Sequence, residues 1–215
     1  MATITLLGSG NMARGIATRA LAGGYGVELL ARDADQAEAL AGELRAAATG
    51  EVQVSTGAIG DTPAGDLVVL AVPYEAALEL VERHSDALAL RVLVDITNPL
   101  KQTMDGLATP PGTSAAEQIA AAAPAGARVV KAWNTTFAGT LVAGQVDGQP
   151  VDVFIAGDDA EAKALVAGVV VSGGCRPIDV GALDAAGALE AFQYLHIGLQ
   201  FSRGTGFRTA IKLLG

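Results

Sequence analysis

The chain is poor in the residues that most often carry chemistry. Among 215 residues there are one cysteine, two histidines and one tryptophan, and only 14 lysines and arginines stand against 23 aspartates and glutamates. A single cysteine, Cys175, excludes an internal disulfide, and its Gly-Gly-Cys-Arg-Pro-Ile setting has no histidine nearby, so it reads as a buried inert thiol. Two widely separated histidines, His84 and His196, with that one cysteine supply no zinc set, so no metal is expected. A net charge of −9 and a pI near 4.6 leave no basic stripe for nucleic acid. No apolar run approaches the roughly 18–20 residues of a membrane span. No basic segment followed by an apolar stretch and cleavage site stands at the start, so a cytoplasmic protein without membrane association is expected. A G-x-S-x-G elbow and a Walker loop are both missing, and no residue stands out as catalytic. With 51% apolar and 17% charged residues the chain has ample material for a core, enough for one large or two modest domains.

Glycine is plentiful, at 27 residues, and three positions near the start put it to use. The β-forming run Thr3-Ile4-Thr5-Leu6-Leu7 ends in Gly8-Ser9-Gly10-Asn11-Met12-Ala13 and passes into a helix-compatible stretch reaching Ala22. Gly8, Gly10 and Ala13 fill the G-x-G-x-x-G/A pattern of a dinucleotide corner. The first glycine allows a tight turn, the second lets backbone approach a pyrophosphate, and a small third residue lets the helix pack against the sheet. Amides at the start of the helix then face the phosphates. A second strand, Val27 to Ala31, runs out in Ala31-Arg32 where an NAD-binding chain carries a carboxylate for the ribose hydroxyl. A guanidinium there grips a 2′-phosphate with paired hydrogen bonds, which favours NADP over NAD; Asp33 turned inward onto a free hydroxyl is the competing reading.

Further along, helices and strands alternate. Helix is expected over Asp35–Ala48, strand over Val52–Ser55, buried strand over Asp66–Pro73, helix over Glu75–His84 and buried strand over Arg91–Ile96. Lys101–Gly112 reads as an irregular connection, and Ser114 with Glu117 as a capping box. Strands Arg128–Trp133, Asp152–Gly157 and Arg176–Val180 follow, with a helix over Ala160–Val171, and Ala182–Leu214 reads mainly as helix broken at Gly204 and Gly206. This is the pattern of a doubly wound parallel sheet, an α/β fold that binds ligands beyond the carboxyl ends of its strands. Ser9, Arg32, Pro73, Tyr74, Thr97 and Asn98 therefore rim one crevice. Gln193, His196 and Gln200 share a face of the last helix, a polar ridge open to three readings: lining the cleft, bonding a neighbouring loop, or meeting a second copy.

Taken in order, several stretches make the chain similar to the NADP oxidoreductases that use the deazaflavin coenzyme F420. They are Leu-Leu-Gly-Ser-Gly-Asn-Met-Ala (6–13), Ala31-Arg32, Ala-Val-Pro-Tyr (71–74), Asp-Ile-Thr-Asn-Pro-Leu (95–100) and Val-Val-Lys-Ala-Trp-Asn-Thr-Thr-Phe (129–137), with Phe-Ile-Ala-Gly-Asp-Asp (154–159), Arg-Pro-Ile-Asp-Val-Gly (176–181) and Ile-Lys-Leu-Leu (211–214). The resemblance implies a Rossmann domain over 1–125 that binds NADP. It implies a smaller α+β part over 126–215 ending in a long helix, which completes the acceptor cleft and the contacts of a homodimer. Hydride would pass directly between NADP(H) and coenzyme F420 or a similar small acceptor. Gly8, Ser9, Gly10, Asn11, Met12, Ala13, Arg32, Ala71, Val72, Pro73 and Asn98 would bind the coenzyme, and Pro73, Asn134, Thr135 and Thr136 the acceptor. Ala31 stands where the family has a serine, and Asn134 where it has a histidine. Other family members pass electrons to other acceptors, such as the cytoplasmic domains of membrane ferric reductases. The first corner is also similar to that of pyrroline-5-carboxylate reductases, although the helical tail is short for their dimerisation domain. Flavin, ferric or imine acceptors, and a nucleotide-binding module without turnover, are the remaining alternatives.

Overall fold

Buried aliphatic runs make the strands of this fold, and alanine-rich amphipathic runs make its helices. The computed structural model describes residues 2–48 and 50–215. Strand β1 (Thr3–Leu7) is buried over four of its five residues and turns at Gly8 into α1 (Asn11–Ala22), whose Ala13, Ile16, Ala17 and Ala20 face the sheet. β2 (Gly26–Ala31) leads to α2 (Ala34–Ala47), where the Asp33 carboxylate accepts from the Gln36 amide at 2.9 Å as the helix cap. β3 (Val54–Ala58), β4 (Leu67–Leu70), α3 (Tyr74–Arg83), the short α4 (Ser85–Leu88) and β5 (Val92–Asp95) follow. The capping box is formed: Ser114 Oγ accepts from the Glu117 amide at 3.1 Å and the Glu117 carboxylate from the Ser114 amide at 2.8 Å. It opens α5 (Ala115–Ala122), which returns the chain to β6 (Arg128–Lys131).

β1 to β6 pair in the order 3-2-1-4-5-6, all parallel. The order reverses between β1 and β4, so a crevice opens above their carboxyl ends. Beyond β6 come α6 (Ala138–Ala143), a hairpin of β7 (Gln145–Val146) and β8 (Gln149–Pro150), β9 (Asp152–Gly157), α7 (Ala160–Ser172) and β10 (Arg176–Asp179). β9 and β10 extend the same sheet, giving eight strands. A 3₁₀ turn (Leu183–Ala185) enters α8 (Ala186–Arg203).

The expected doubly wound parallel sheet is present, and in the C-terminal part β9 runs antiparallel to β6. A parallel crossover needs a dozen or more residues laid back along the sheet. α6 has six residues, about 9 Å of helix, and packs on α1 instead. Gly15 makes that approach possible, since a Cβ there would come 2.9 Å from the Leu141 Cβ. One expectation is corrected, at the end of the chain: helix stops at Arg203, where Gly204 takes a left-handed φ of 63° as the cap, and residues 205–215 are an irregular tail. α6 and the β7–β8 hairpin had no reading in the sequence.

The core lies on both faces of the sheet. Ile4, Leu6, Leu29, Val69 and Val94 point toward α1, α2 and α7, while Leu7, Leu30, Leu70 and Leu93 point toward α3 and α5. This alternation is the strand period expressed in a sheet covered on both sides. Cys175 is buried, and burial pushes its thiol pKa up, as an inert structural thiol requires. Among the described residues no helix is long and apolar enough to cross a membrane.

Candidate functional site

A cleft of about 790 Å³ occupies the crevice at the strand-order reversal. The turn after β1 forms its floor. Gly8 has a φ of 120°, and a Cβ there would collide with the Ala71 carbonyl oxygen, so only glycine lets the β1 and β4 corners meet. A Cβ added at Gly10 would meet nothing within 4 Å, so that corner faces open space. Gly10 is also the cap residue of α1 and provides no side-chain bond, leaving the first amides of the helix free for a ligand. Seven of the expected coenzyme residues line this cleft: Gly8, Ser9, Gly10, Arg32, Ala71, Val72 and Pro73.

Arg32 makes no ion pair or side-chain hydrogen bond among the described residues, although Asp33 is its neighbour. The reason is local: Asp33 is spent capping α2. One oxygen of Asp33 is thereby held in the cap, although the residue still lines the cleft, and the guanidinium stays available to a phosphate. Ser9 Oγ donates to Gln36 Oε1 at 2.9 Å, so the hydroxyl sits at the same rim.

Sequence reasoning missed Gln36, Ile59, Ala76, Glu79, Leu80 and Arg83, which complete the lining with Ala31 and Asp33. Ile59, Ala76 and Leu80 are apolar members of the lining that Arg32 shares. Arg83, on the last turn of α3, is a second arginine with no partner among the described residues. Its only signal in the sequence was a cation on a helix following a strand of the reversal point.

A second group of expected residues gathers where β5 and β6 end. Asn98 Nδ2 donates to the Asn134 carbonyl at 2.9 Å, and Asn134 Nδ2 donates to Asn98 Oδ1 at 3.0 Å. The two strand tips are therefore stitched together by reciprocal amide bonds. Trp133 holds the β6 tip in a sharp turn: it is buried, has a left-handed φ of 57°, and its carbonyl accepts from Thr136. A bulky residue in that region is strained, and such strain concentrates at functional corners. Asn134 Oδ1, Thr135 Oγ1 and Thr97 Oγ1 are buried with no hydrogen-bond partner. Buried polar atoms are rarely left unpaired, so these three are spare capacity for a ligand.

Other expected residues are placed differently. Ala13 is fully buried in the core under α1, where it acts by packing. Met12 packs against the same core, and Asn11 lines a separate cleft beside Phe137. Thr136 spends its hydroxyl on the Trp133 carbonyl at 2.7 Å. The polar ridge of α8 bonds a neighbouring segment. His196 Nε2 meets Thr209 Oγ1 at 2.8 Å, and Gln200 Nε2 donates to the same oxygen at 2.8 Å. Gln193 Oε1 lies 3.1 Å from His196 Nδ1, so the bonds close with a neutral ring protonated on Nδ1. Burial lowers the His196 pKa in keeping with that neutral ring.

Beneath the asparagine pair, Lys131 Nζ lies 2.7 Å from Asp95 Oδ2, Glu190 Oε1 and the Thr97 carbonyl, and all three side chains are fully buried. Burial raises the Glu190 pKa, against the pull of Lys131 and the Ala115 amide.

Known proteins are similar to this chain in sequence and fold. The family described as NADP oxidoreductase, coenzyme F420-dependent, matches residues 3–99. The F420-dependent NADP reductase of Methanocaldococcus jannaschii is 32% identical over 154 residues, covering 67% of this chain and 67% of that protein. The metalloreductase STEAP3 of Rattus norvegicus is 33% identical over 188 residues, 87% of this chain, and this chain spans 36% of its length. A crystal structure from Arthrobacter sp. FB24, provisionally named an F420-dependent NADP-reductase, superposes with a TM-score of 0.84 at 28% identity, covering 100% of both chains.

Proposed function

The chain belongs to the family of NADP oxidoreductases that depend on coenzyme F420, and from that premise we propose that it passes a hydride between NADP(H) and the deazaflavin coenzyme F420. The observation that carries the reading is the pairing of an open glycine corner with an uncommitted arginine in one cleft. An acidic chain of net charge −9 would ordinarily neutralise such an arginine. Keeping it free suits a dianionic 2′-phosphate.

The residues present fit the coenzyme. Gly8, Ser9, Gly10, Asn11 and Met12 would hold the pyrophosphate with backbone amides at the start of α1. Arg32 would take the 2′-phosphate, with the Ser9 hydroxyl beside it, and the apolar side chains of Ile59, Ala76 and Leu80 suit the flat adenine. Ala71, Val72 and Pro73 would form the wall leading to the nicotinamide. Asn134 and Thr135 would orient the nicotinamide and the acceptor ring through their unpaired oxygens, with Asn98 holding Asn134 in place. NADPH, when bound, supplies the hydride, so the protein's part is to hold donor and acceptor in line and keep water out. No side chain needs to act as acid or base for that.

Residues 126–215 form the smaller part of the proposed division, completing the acceptor cleft. A homodimer in the cytoplasm completes the reading. It is supported by a face of α8 on which Phe192, Leu195 and Leu199 are 39%, 60% and 42% exposed with no charged side chain among them.

Mixing the protein with NADPH and oxidised F420 and following absorbance tests the acceptor, and turnover is expected. Turnover with a flavin, ferric or imine acceptor but none with F420 would reject it. Tight NADPH binding with no oxidation by any acceptor would favour a binding module. Arg32→Ala is expected to weaken NADPH by about 1.5–3 kcal/mol, the worth of a charged hydrogen bond, while leaving NADH unchanged.

A further inference from the structure

One buried side chain of α8 reaches strand tips that its own helix does not build. Glu190 is the only carboxylate of α8, and it is fully buried under the ends of β5 and β6. The first residue of α5 fixes it from one side: Glu190 Oε1 and Oε2 each accept from the Ala115 amide at 3.1 Å. From the other side, Oε1 accepts from Lys131 Nζ at 2.7 Å. Every partner is a donor, so this geometry holds the ionised carboxylate even though burial pushes its pKa up.

The Lys131 ammonium has no hydrogen to spare. Asp95 Oδ2, the Thr97 carbonyl and Glu190 Oε1 each accept from it at 2.7 Å, and an ammonium has only these three donors. Its direction therefore sets that of the Thr97 carbonyl. The planar peptide that carries this carbonyl also carries the Asn98 nitrogen, so the grip extends to the base of Asn98. Asn98 and Asn134 then exchange their two amide bonds at 2.9 and 3.0 Å, and Asn134 Oδ1 is left buried and unpaired. A line of contacts thus runs from α8 to the asparagine oxygen that has no partner.

We propose that Glu190 is a positioning residue: through Lys131 and the Thr97–Asn98 peptide it sets the angle at which Asn134 meets the nicotinamide. The proposal rests on the reading that places the nicotinamide against Asn134 and Thr135. A neutral amide of the same shape is a poor substitute. Glutamine has one acceptor oxygen where glutamate has two, so its NH2 group faces the Ala115 amide or Lys131, donor against donor. Lys131 then leans toward Asp95 and slackens its hold on the Thr97 carbonyl.

Glu190→Gln in the full chain tests this with NADPH alone. Calorimetry should give an NADPH affinity within about twofold of native, because the charge-assisted contacts to the phosphates at Arg32 and the β1 corner are untouched. The fluorescence lifetime of bound NADPH, long when the nicotinamide is held, should fall most of the way to that of free NADPH. Asn98→Ala should give the same fall, and the double variant no more than either single one, since both changes cut one line of contacts. An ion cluster that served folding alone would lower the unfolding free energy and leave the lifetime as it was. If circular dichroism shows Glu190→Gln to be unfolded, Glu190→Asp, which keeps the charge on a shorter stem, is read in its place against the same expectations. A native lifetime at native affinity, additive losses in the double variant, or an affinity that falls in step with the lifetime would overturn the proposal. A native protein that bound no NADPH would instead reject the coenzyme reading itself, and the proposal would fall with it.

Discussion

Lys131 is the residue that holds the tips of β5 and β6 together. Its ammonium bonds Asp95, Glu190 and the Thr97 carbonyl, each at 2.7 Å, and the next residue along is Asn98. The Asp95 carboxylate accepts from the Thr97 amide at 2.8 Å, so the β5 tip is held from two directions. Glu190 brings α8 into the same cluster and also accepts from the Ala115 amide. Removing the cation would leave two buried carboxylates facing each other. Lys131→Ala is expected to cost about 3–5 kcal/mol, the usual penalty for breaking a buried ion pair from one side. Urea unfolding of the purified variant measures it; a loss below about 1 kcal/mol, typical of a surface pair, would contradict this account.

At the scale of elements, the tail beyond α8 is fastened to the rest of the fold at two places, by His196 and Gln200 on Thr209 and by Asp152 on Lys212 and Leu213. One of its anchors is Asp152 at the start of β9. Burial pushes the Asp152 pKa up, but bonds from Arg176, Lys212 and the Leu213 amide more than offset this and hold it at about 2. The usual value is 3.8, so the folded form binds its proton less readily than the unfolded one. The stabilisation is complete above the unfolded value and drains away as pH falls from 3.8 toward about 2. Its size is about 2 kcal/mol at most, from the shift in pKa. His196 adds a second window with the same slope. Burial lowers its pKa below 6.5, so stability falls as pH drops through 6.5 and the unfolded state gains the proton first. Unfolding free energy measured against pH should therefore decline on the acid side in two stages. Asp152→Asn should flatten the lower stage only.

The whole molecule presents one large face without charge. Along α8 the only ionic residues are Glu190, which is buried, and Arg203 at the end. A helix of 18 residues with apolar side chains outward is costly to leave in water, and a second copy of the same face is the proposed cover. Leu195→Glu, at the most exposed of Phe192, Leu195 and Leu199, should shift the protein from dimer to monomer in sedimentation equilibrium. NADPH binding should be retained, since the proposed coenzyme cleft lies at the ends of β1, β2 and β4. A wild-type protein that sediments as a monomer would remove the dimer from the proposal.

What could be read from the sequence was whatever local spacing encodes. The β1 corner, the Arg32 tip, the capping box at Ser114 and the strand-end asparagine were legible because glycine pattern, strand period and helix caps act within a few residues. The tertiary structure decided the rest, since it depends on partners distant along the chain. Leu80 and Arg83 become cleft walls only when α3 lies across β1 and β2, and His196 finds its role only when Thr209 folds back against α8. Thr136 carried no sign that its hydroxyl would turn back to Trp133. The reversal of β9 follows from a six-residue helix choosing Gly15 of α1 over the sheet, a packing contact no run of residues announces. Sequence thus set the elements and one corner of the site; close packing among remote elements set the cleft, its second arginine and the neighbour beside it.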